Sequence, residues 1–228
     1  MGSYGLHRYH AGAPMPRHRH AEPYMAIVVA GGYLEAGDAG RFEARPGDVL
    51  LHGQYDAHRD AFERSGSTVL NLPLAASAGS GFGRVEDVDA IVRLAERDTW
   101  EASAQVCAEL SQGRPPLGDW PDLLAAALRE DPDLGIARWA DGIGLVPASV
   151  SRGFARAYGV SPKRFRLETR VRRAAHRLPC WAGSLAELAA ELGFADQAHM
   201  SRAIVAMTGR TPSALRAKSV QARTESRR

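Results

Sequence analysis

Two stretches of this 228-residue chain, 49 residues apart, repeat one short pattern. The first lies within Gly135–Phe154 and the second within Ser184–Ile204. Each places a small residue, Ala140 or Ala189, where two helices must approach closely. A glycine follows four positions later, Gly144 or Gly193, and then a large apolar residue, Leu145 or Phe194. The glycine supplies the positive φ that turns a chain out of a helix, and the apolar residue seals the turn. A second helix then begins, with Pro147 suited to a first helical position and Asp196 suited to an N-cap. One such pattern fits many helical hairpins. Two spaced copies predict a pair of helix-turn-helix units, the second helix of each shaped to enter a major groove.

Between the copies, Gly159-Val160-Ser161-Pro162 opens a further helical stretch, with Ser161 as cap and Pro162 as first residue. That helix would be a stiff connector between the two units. The segment is also cationic. From Asp131 onward there are 17 lysines and arginines against 8 acidic residues, and before it 12 against 18. A basic half joined to an acidic one points to a polyanion partner, and nucleic acid is the obvious one; on charge alone a solvated charged surface reads equally well.

The stretch from about Leu134 to Arg216 resembles the DNA-binding domain of the AraC/XylS family. The likeness is carried by Gly159-Val160-Ser161-Pro162, by Gly193-Phe194-Ala195-Asp196-Gln197, and by the closing Gly209-Arg210-Thr211-Pro212-Ser213-Ala214-Leu215-Arg216. Val146 stands where the family usually has a capping Ser, and Ile204 where it usually has a Phe. The resemblance implies that Ala148, Ser151 and Arg152 face bases in the first unit, and Gln197, Ala198, His199, Ser201 and Arg202 in the second. Chemically, Gln197 can pair with adenine and an arginine with guanine. Arg152 and Arg202 could equally hold phosphates or brace the fold. Arg156, Lys163, Arg164 and Arg210 are read as positioning contacts to phosphate. Two readers in one chain would address major-groove faces about 10 bp apart.

The N-terminal third reads differently. Tyr24–Ala30 is an apolar run followed by Gly31-Gly32, read as strand and turn, and Arg41–Ala44, Val49–Leu51 and Thr68–Leu72 add short strands. Close-set short strands predict a small β-sandwich or barrel. Ala75–Gly83 is rich in small residues and reads as a linker. Three helical patterns follow: Val85, Val88, Ile91, Val92 and Ala95; Trp100, Ala104, Cys107, Ala108 and Leu110, ended by Gly113; and Asp122–Leu128.

Within the strand-rich part, His18 and His20 point to one face of a strand, and His58 follows a Gly47-Asp48-strand-turn unit. These residues resemble the two sequence motifs of the cupin barrel, which implies His18, His20 and His58 at metal-ligand positions. Three neutral imidazoles suit Zn²⁺, Fe²⁺ or Ni²⁺. The cupin glutamate would fall near Met25, with Glu22 too early, and Gly53 and Tyr55 replace the second motif's Pro and Gly. Either the three histidines hold an ion, or they line a barrel without one. His52 and Gln54 are candidate fourth ligands; His7 and His10 are expected at the surface.

These readings predict an α+β chain. A small cupin-like β-barrel would span residues 1–75, a helical linker or dimerisation region 76–130, an all-α DNA-binding domain with two helix-turn-helix units 131–218, and a disordered basic tail 219–228. The expected function is sequence-specific transcription regulation, with double-stranded promoter DNA as partner. A small-molecule effector, a homodimer and, for an activator, RNA polymerase would complete the set. The alternative, a metal-dependent cupin oxygenase or isomerase fused to a helical domain, rests on the histidines alone. No second set of acid, base or nucleophile accompanies them, so an enzyme is not expected. No apolar run of about 18 residues suggests a membrane span, and the first residues lack the form of a secretory signal. The expectation is a cytoplasmic protein whose two cysteines, Cys107 and Cys180, are reduced and mostly buried.

Overall fold

The computed structural model describes residues 4–75, 79–131 and 133–217. The expected tail at 219–228 lies outside the described residues, as do residues 76–78 of the expected linker. The chain divides into two compact units, Met1–Leu123 with Gly153–Gly159, and Leu124–Arg152 with Val160–Arg228.

An eight-stranded antiparallel sheet dominates the first unit. Its strands are β1 (Gly5–Tyr9), β2 (Pro14–Arg19), β3 (Tyr24–Gly37), β4 (Arg41–Ala44), β5 (Asp48–His52), β6 (Ala57–Pro73), β7 (Gly81–Arg84) and β8 (Ser111–Gln112). They run in the order β1-β6-β3-β5-β7-β8, with β2 also paired to β6 and β4 to β3. Side chains alternate across a strand. Met25, Ile27, Val49, Leu70 and Leu72 therefore join one buried cluster, with Ile91, Ala102 and Val106 from helices α1 (Val88–Ala95) and α2 (Thr99–Glu109). Their neighbours Ala26, Val28, Leu50 and Val69 join a second, with Tyr33 and Phe62. A sheet buried on both faces needs unbroken apolar runs, which is why Met25–Val29 shows no polar alternation. Burying each such Leu or Ile contributes about 1.5–3 kcal/mol. Asp87 and Asp98 cap the two helices, accepting from Ala90 N, and from Trp100 N and Glu101 N.

Several expectations change here. Gly31-Gly32 is no turn: β3 continues through it to Gly37, and its register against β6 shifts between Val28 and Ala30 and again between Gly31 and Tyr33. A Cβ on Gly31 would lie 2.0 Å from the Gly66 carbonyl oxygen, so the glycine marks a bulge where two strands approach closely. The end of the expected Ala75–Gly83 linker is strand β7, because Gly81–Arg84 pairs with β5 and, through Gly83 and Arg84, with β8. Val85 is buried ahead of α1 rather than within it, and α2 gives way at Leu110 to β8. Cys107 and Cys180 are both exposed and neither is in a disulfide. Cys107 lies at the edge of the buried face of α2, one turn beyond Ser103, and is exposed there.

Helix α3 (Trp120–Glu130) runs across the boundary between the units. The second unit carries α4 (Ile136–Gly142), the first part of α5 (Pro147–Tyr158), α6 (Pro162–Arg177), a 3₁₀ turn (Leu178–Cys180), α7 (Leu185–Glu191), α8 (Gln197–Thr208) and a last helical stretch at 212–217. Its interior holds Ala140, Val150, Phe165, Val171, Ala174, Leu178, Leu188, Met200, Ile204 and Leu215. The end of α5, Gly153–Gly159, belongs to the first unit. Within that unit the buried Asp122 accepts from Arg41 Nε at 2.8 Å and from the Tyr158 hydroxyl at 2.7 Å.

Candidate nucleic-acid interface and histidine cluster

Helices α4 and α5 and helices α7 and α8 are joined by turns of the same construction. Leu145 N–H donates to the Ala140 carbonyl at 2.9 Å and Gly144 N–H to the Asp141 carbonyl at 3.1 Å. In the second pair Phe194 N–H donates to Ala189 at 2.9 Å and Gly193 N–H to Ala190 at 3.1 Å. These are the paired bonds of a helix end closed by a left-handed residue, and Gly144 and Gly193 have φ of 69° and 72°. Ala140 and Ala189 are buried, as the repeat requires.

The start of α8 is set by a local cap, whereas Val146 ahead of α5 is exposed and has no side-chain oxygen to cap with. Asp196 Oδ1 accepts from His199 N–H at 2.6 Å and holds the first turn of α8. Ser184 and Glu187 form a reciprocal capping box at the start of α7. On α6, Ser161 accepts from Arg164 N–H with Pro162 behind it. Met200 and Ile204 are the buried residues of α8, and positions 198, 201 and 202 share another face at helical spacing. Gln197, Ala198 and Arg202 are exposed, and His199 and Ser201 are half-buried. On α5, Val150 is buried while Ala148 and Arg152 are exposed and Ser151 is half-buried. Arg152 donates to Ser149 Oγ at 3.3 Å. Arg156, Lys163 and Arg164 are exposed. Arg164 is held by Glu168 at 2.7 Å, Arg210 donates to the Ala214 carbonyl at 2.8 Å, and the Arg156 carbonyl accepts from Arg59 at 2.7 Å.

In the first unit, strand register gathers the histidines. His18 pairs with His58 across β2 and β6, and Tyr24 with His52 across β3 and β5. One ring nitrogen from each of His18, His20 and His58 lies within 4.8 Å of the others. His20 Nε2 is 3.2 Å from His58 Nε2, and the Tyr24 hydroxyl lies 3.0 Å from His58 Nε2 and 3.4 Å from His20 Nε2. Outer partners orient the rings: His18 Nδ1 faces the Pro16 carbonyl at 3.0 Å and His58 Nδ1 faces Asp60 Oδ1 at 3.0 Å. A histidine whose far nitrogen donates to a carbonyl or carboxylate is held in the tautomer that can ligate a metal. The three rings thus fit a divalent ion in donor type and in spacing. They line a cavity of about 220 Å³ with Tyr9, Tyr33 and Phe62.

Burial dominates the electrostatics. It pushes His52 and His58 well below the usual imidazole range, with neighbouring histidines adding to the effect. Burial and then His18 bring His20 down to about 4. The Asp60 carboxyl is pushed up to about 7 by burial, against the pull of His18 and His20. Glu35 is raised well above the carboxylate range by burial and then by Asp60.

Met25, where the cupin glutamate was expected, is buried in the opposite cluster, and Glu22 is exposed. His52 is buried among the other rings, and Gln54 is half-buried. His10 is exposed as expected. His7 instead lines the cavity, because β1 turns alternate residues inward. Tyr24, expected only as the start of a strand, and Glu35 and Asp60, which carry no motif, join the histidines here.

Residues 139–218 match the protein family described as a helix-turn-helix domain. No curated protein matches the sequence. The chain is similar to the C-terminal domain of AraT, a response regulator from Geobacillus stearothermophilus, at 20% identity over 46% of this chain and 88% of that one, with a TM-score of 0.42. It is similar to a transcriptional regulator from Chromobacterium violaceum, one of the AraC-type DNA-binding domain-containing proteins, at 23% identity over 43% and 89% (TM-score 0.40). ToxT from Vibrio cholerae is similar at 9% identity over 92% and 96% (TM-score 0.42). Among the described residues no helix is long and apolar enough to cross a membrane.

Proposed function

We propose that this chain is a sequence-specific transcription regulator of the AraC type, acting in the cytoplasm on double-stranded promoter DNA through two helix-turn-helix units. The observation that carries this is the pair of identically closed turns, each followed by a helix with exposed residues at one-face spacing, inside the segment that matches the helix-turn-helix family. In this reading Ala148, Ser151 and Arg152 on α5, and Gln197, Ala198, His199, Ser201 and Arg202 on α8, meet base edges. Arg156, Lys163 and Arg164 meet phosphates.

The N-terminal sheet, read as a cupin-like barrel, is the sensor or dimerisation module. His18, His20 and His58 would hold a divalent transition ion beside the cavity, giving it a fixed positive centre for an effector's polar or anionic group. An effector can shift the protein only by as much as its affinities for two states differ. A homodimer, and RNA polymerase contact if the protein activates, belong to the same proposal. The rival reading as a metal-dependent cupin enzyme draws on the histidines alone.

Selection of bound sequences from a random DNA pool by the purified full chain, followed by footprinting, tests the proposal. The expected result is one discrete site protected on two major-groove segments about 10 bp apart. Absence of any preference over bulk competitor at moderate salt would refute it.

A further inference from the structure

We propose that Glu35, His52 and His58 form a second, interior transition-metal site, placed behind the three-histidine group and sharing His58 with it. The three donors come from three strands. Glu35 lies on β3 opposite Asp60 of β6, His52 ends β5 opposite Tyr24, and His58 lies on β6 opposite Gly37 of β3. Glu35 Oε2 is 3.4 Å from His58 Nδ1 and 3.5 Å from His52 Nε2. An ion about 2.1 Å from each donor of a tetrahedral set holds those donors about 3.4 Å apart. One donor atom from each of the three residues lies within 4.8 Å of the others.

Two further observations favour an ion over a plain polar contact. All three side chains are only 5% exposed. Glu35 Oε2 and His52 Nε2 also make no hydrogen bond among the described residues, although each faces the other. Buried polar atoms nearly always have a partner. The 3.5 Å gap between these two is longer than an N–H···O bond, yet it is the edge of a coordination polyhedron. Two imidazoles and a carboxylate are a donor set that zinc accepts, with a fourth position left open.

The geometry of His58 keeps the two sites apart. Its Nε2 faces His20 and Tyr24, and its Nδ1 faces Glu35 and Asp60. An ion on Glu35, His52 and His58 Nδ1 displaces the proton that Nδ1 would otherwise donate to Asp60. That proton moves to Nε2, where the Tyr24 hydroxyl can accept it, or leaves to solvent when both sites fill and the ring bridges two ions. The inference does not rest on the DNA-binding reading.

The test uses the metal-stripped full chain with Co²⁺ as the probe and Zn²⁺ as its competitor. His18→Ala combined with His20→Ala removes two ligands of the outer group and leaves the inner set intact. This double variant should still bind about one Co²⁺ per chain, with the intense visible bands of a low-coordinate site. Adding His52→Ala, or separately Glu35→Gln, should weaken that binding by more than the roughly 10–100-fold that loss of an outer-shell partner costs. Saturation of the unmutated chain at two ions is the matching expectation and needs no change in the interior. The inference is overturned if the double variant binds no Co²⁺, or if either added substitution leaves its affinity unchanged. Saturation of the unmutated chain at one ion that disappears with His18 and His20 also overturns it.

Discussion

The two turns that define the C-terminal unit differ in one respect that a pair of substitutions can read. Gly144 and Gly193 both sit in the left-handed region, at φ of 69° and 72°. A side chain in that region costs about 1–2 kcal/mol. At Gly144 nothing lies within 4 Å of an added Cβ, so Gly144→Ala should cost that amount and no more. At Gly193 the Cβ would lie 3.0 Å from Arg170 Nη2 and 3.1 Å from its Cζ, so the guanidinium must move as well. Arg170 pairs with Asp133, whose carboxylate is 78% exposed, so disturbing that pair adds at most about 1 kcal/mol. The assay is native-state hydrogen exchange of the Leu145 and Phe194 amides, which close the turns. A loss of 1–2 kcal/mol raises exchange about 5–30-fold, and Gly193→Ala should exceed Gly144→Ala. Gly142→Ala supplies the opposite sign: that glycine ends α4 without a positive φ and with open space around it. Alanine there should slow exchange, because it is the better helix former by about 0.5–1 kcal/mol. If Gly144→Ala leaves Leu145 as protected as before, or if Gly142→Ala and Gly144→Ala act alike, the reasoning about these turns fails.

Three other expectations can be checked separately. Arg202→Ala should cost about 1–3 kcal/mol and relax preference at a base position, whereas Lys163→Ala should weaken all sequences alike and lower the salt slope by about 1. Competition binding on selected and scrambled duplexes across a salt series separates the two, and an identical response from both variants would count against the assignment of Arg202 to a base. His18→Ala should lower the metal content of the full chain by about one ion, measured by elemental analysis, because it strips a ligand from a three-histidine set; an unchanged content sinks the outer site. In the metal-free chain His20 should titrate near 4 in an NMR series rather than near the ordinary value of 6.5, because burial and His18 disfavour its charged form. The unfolded chain takes up this proton at about pH 6.5 and the folded chain only near 4. His20 therefore withdraws stability as pH falls through that window, and adds no further loss below it. A midpoint above 6 would show that the ring is not desolvated as described.

The readable and unreadable parts of this chain divide by range along the sequence. Each helix-closing turn is complete within six residues, from Ala140 to Leu145 and from Ala189 to Phe194, so its hydrogen bonds follow from local residue types. The caps at Asp196, Ser161 and Ser184 are local in the same way. The strands at Arg41–Ala44 and Asp48–His52 could be read from short apolar runs. By contrast β6 spans Ala57–Pro73 and was legible only at its end, because polar and charged residues such as Glu63, Arg64 and Ser65 interrupt its apolar pattern. The Gly-Gly pair in β3 gave a turn signal that was wrong. Turn and bulge both use glycine, and only Gly66 on the partner strand tells them apart.

The same irregularity in β3 hides half of the histidine cluster from the sequence. His18 and His20 declare themselves by spacing alone. Tyr24, Ala26 and Val28 are oriented on even positions of β3, with Tyr24 against the histidines and the other two in the Tyr33–Phe62 cluster. Tyr33 and Glu35 reach the same side on odd positions. A period of two carried unbroken from Tyr24 would send Glu35 to the opposite face, since a slip of one residue exchanges the two faces of a strand. The register shifts between Val28 and Tyr33 supply that slip. Glu35 stands beside His52 and His58 only because β3 carries an irregularity in its middle. Filling Gly31 with a side chain should therefore disturb the inner donors while leaving His18 opposite His58.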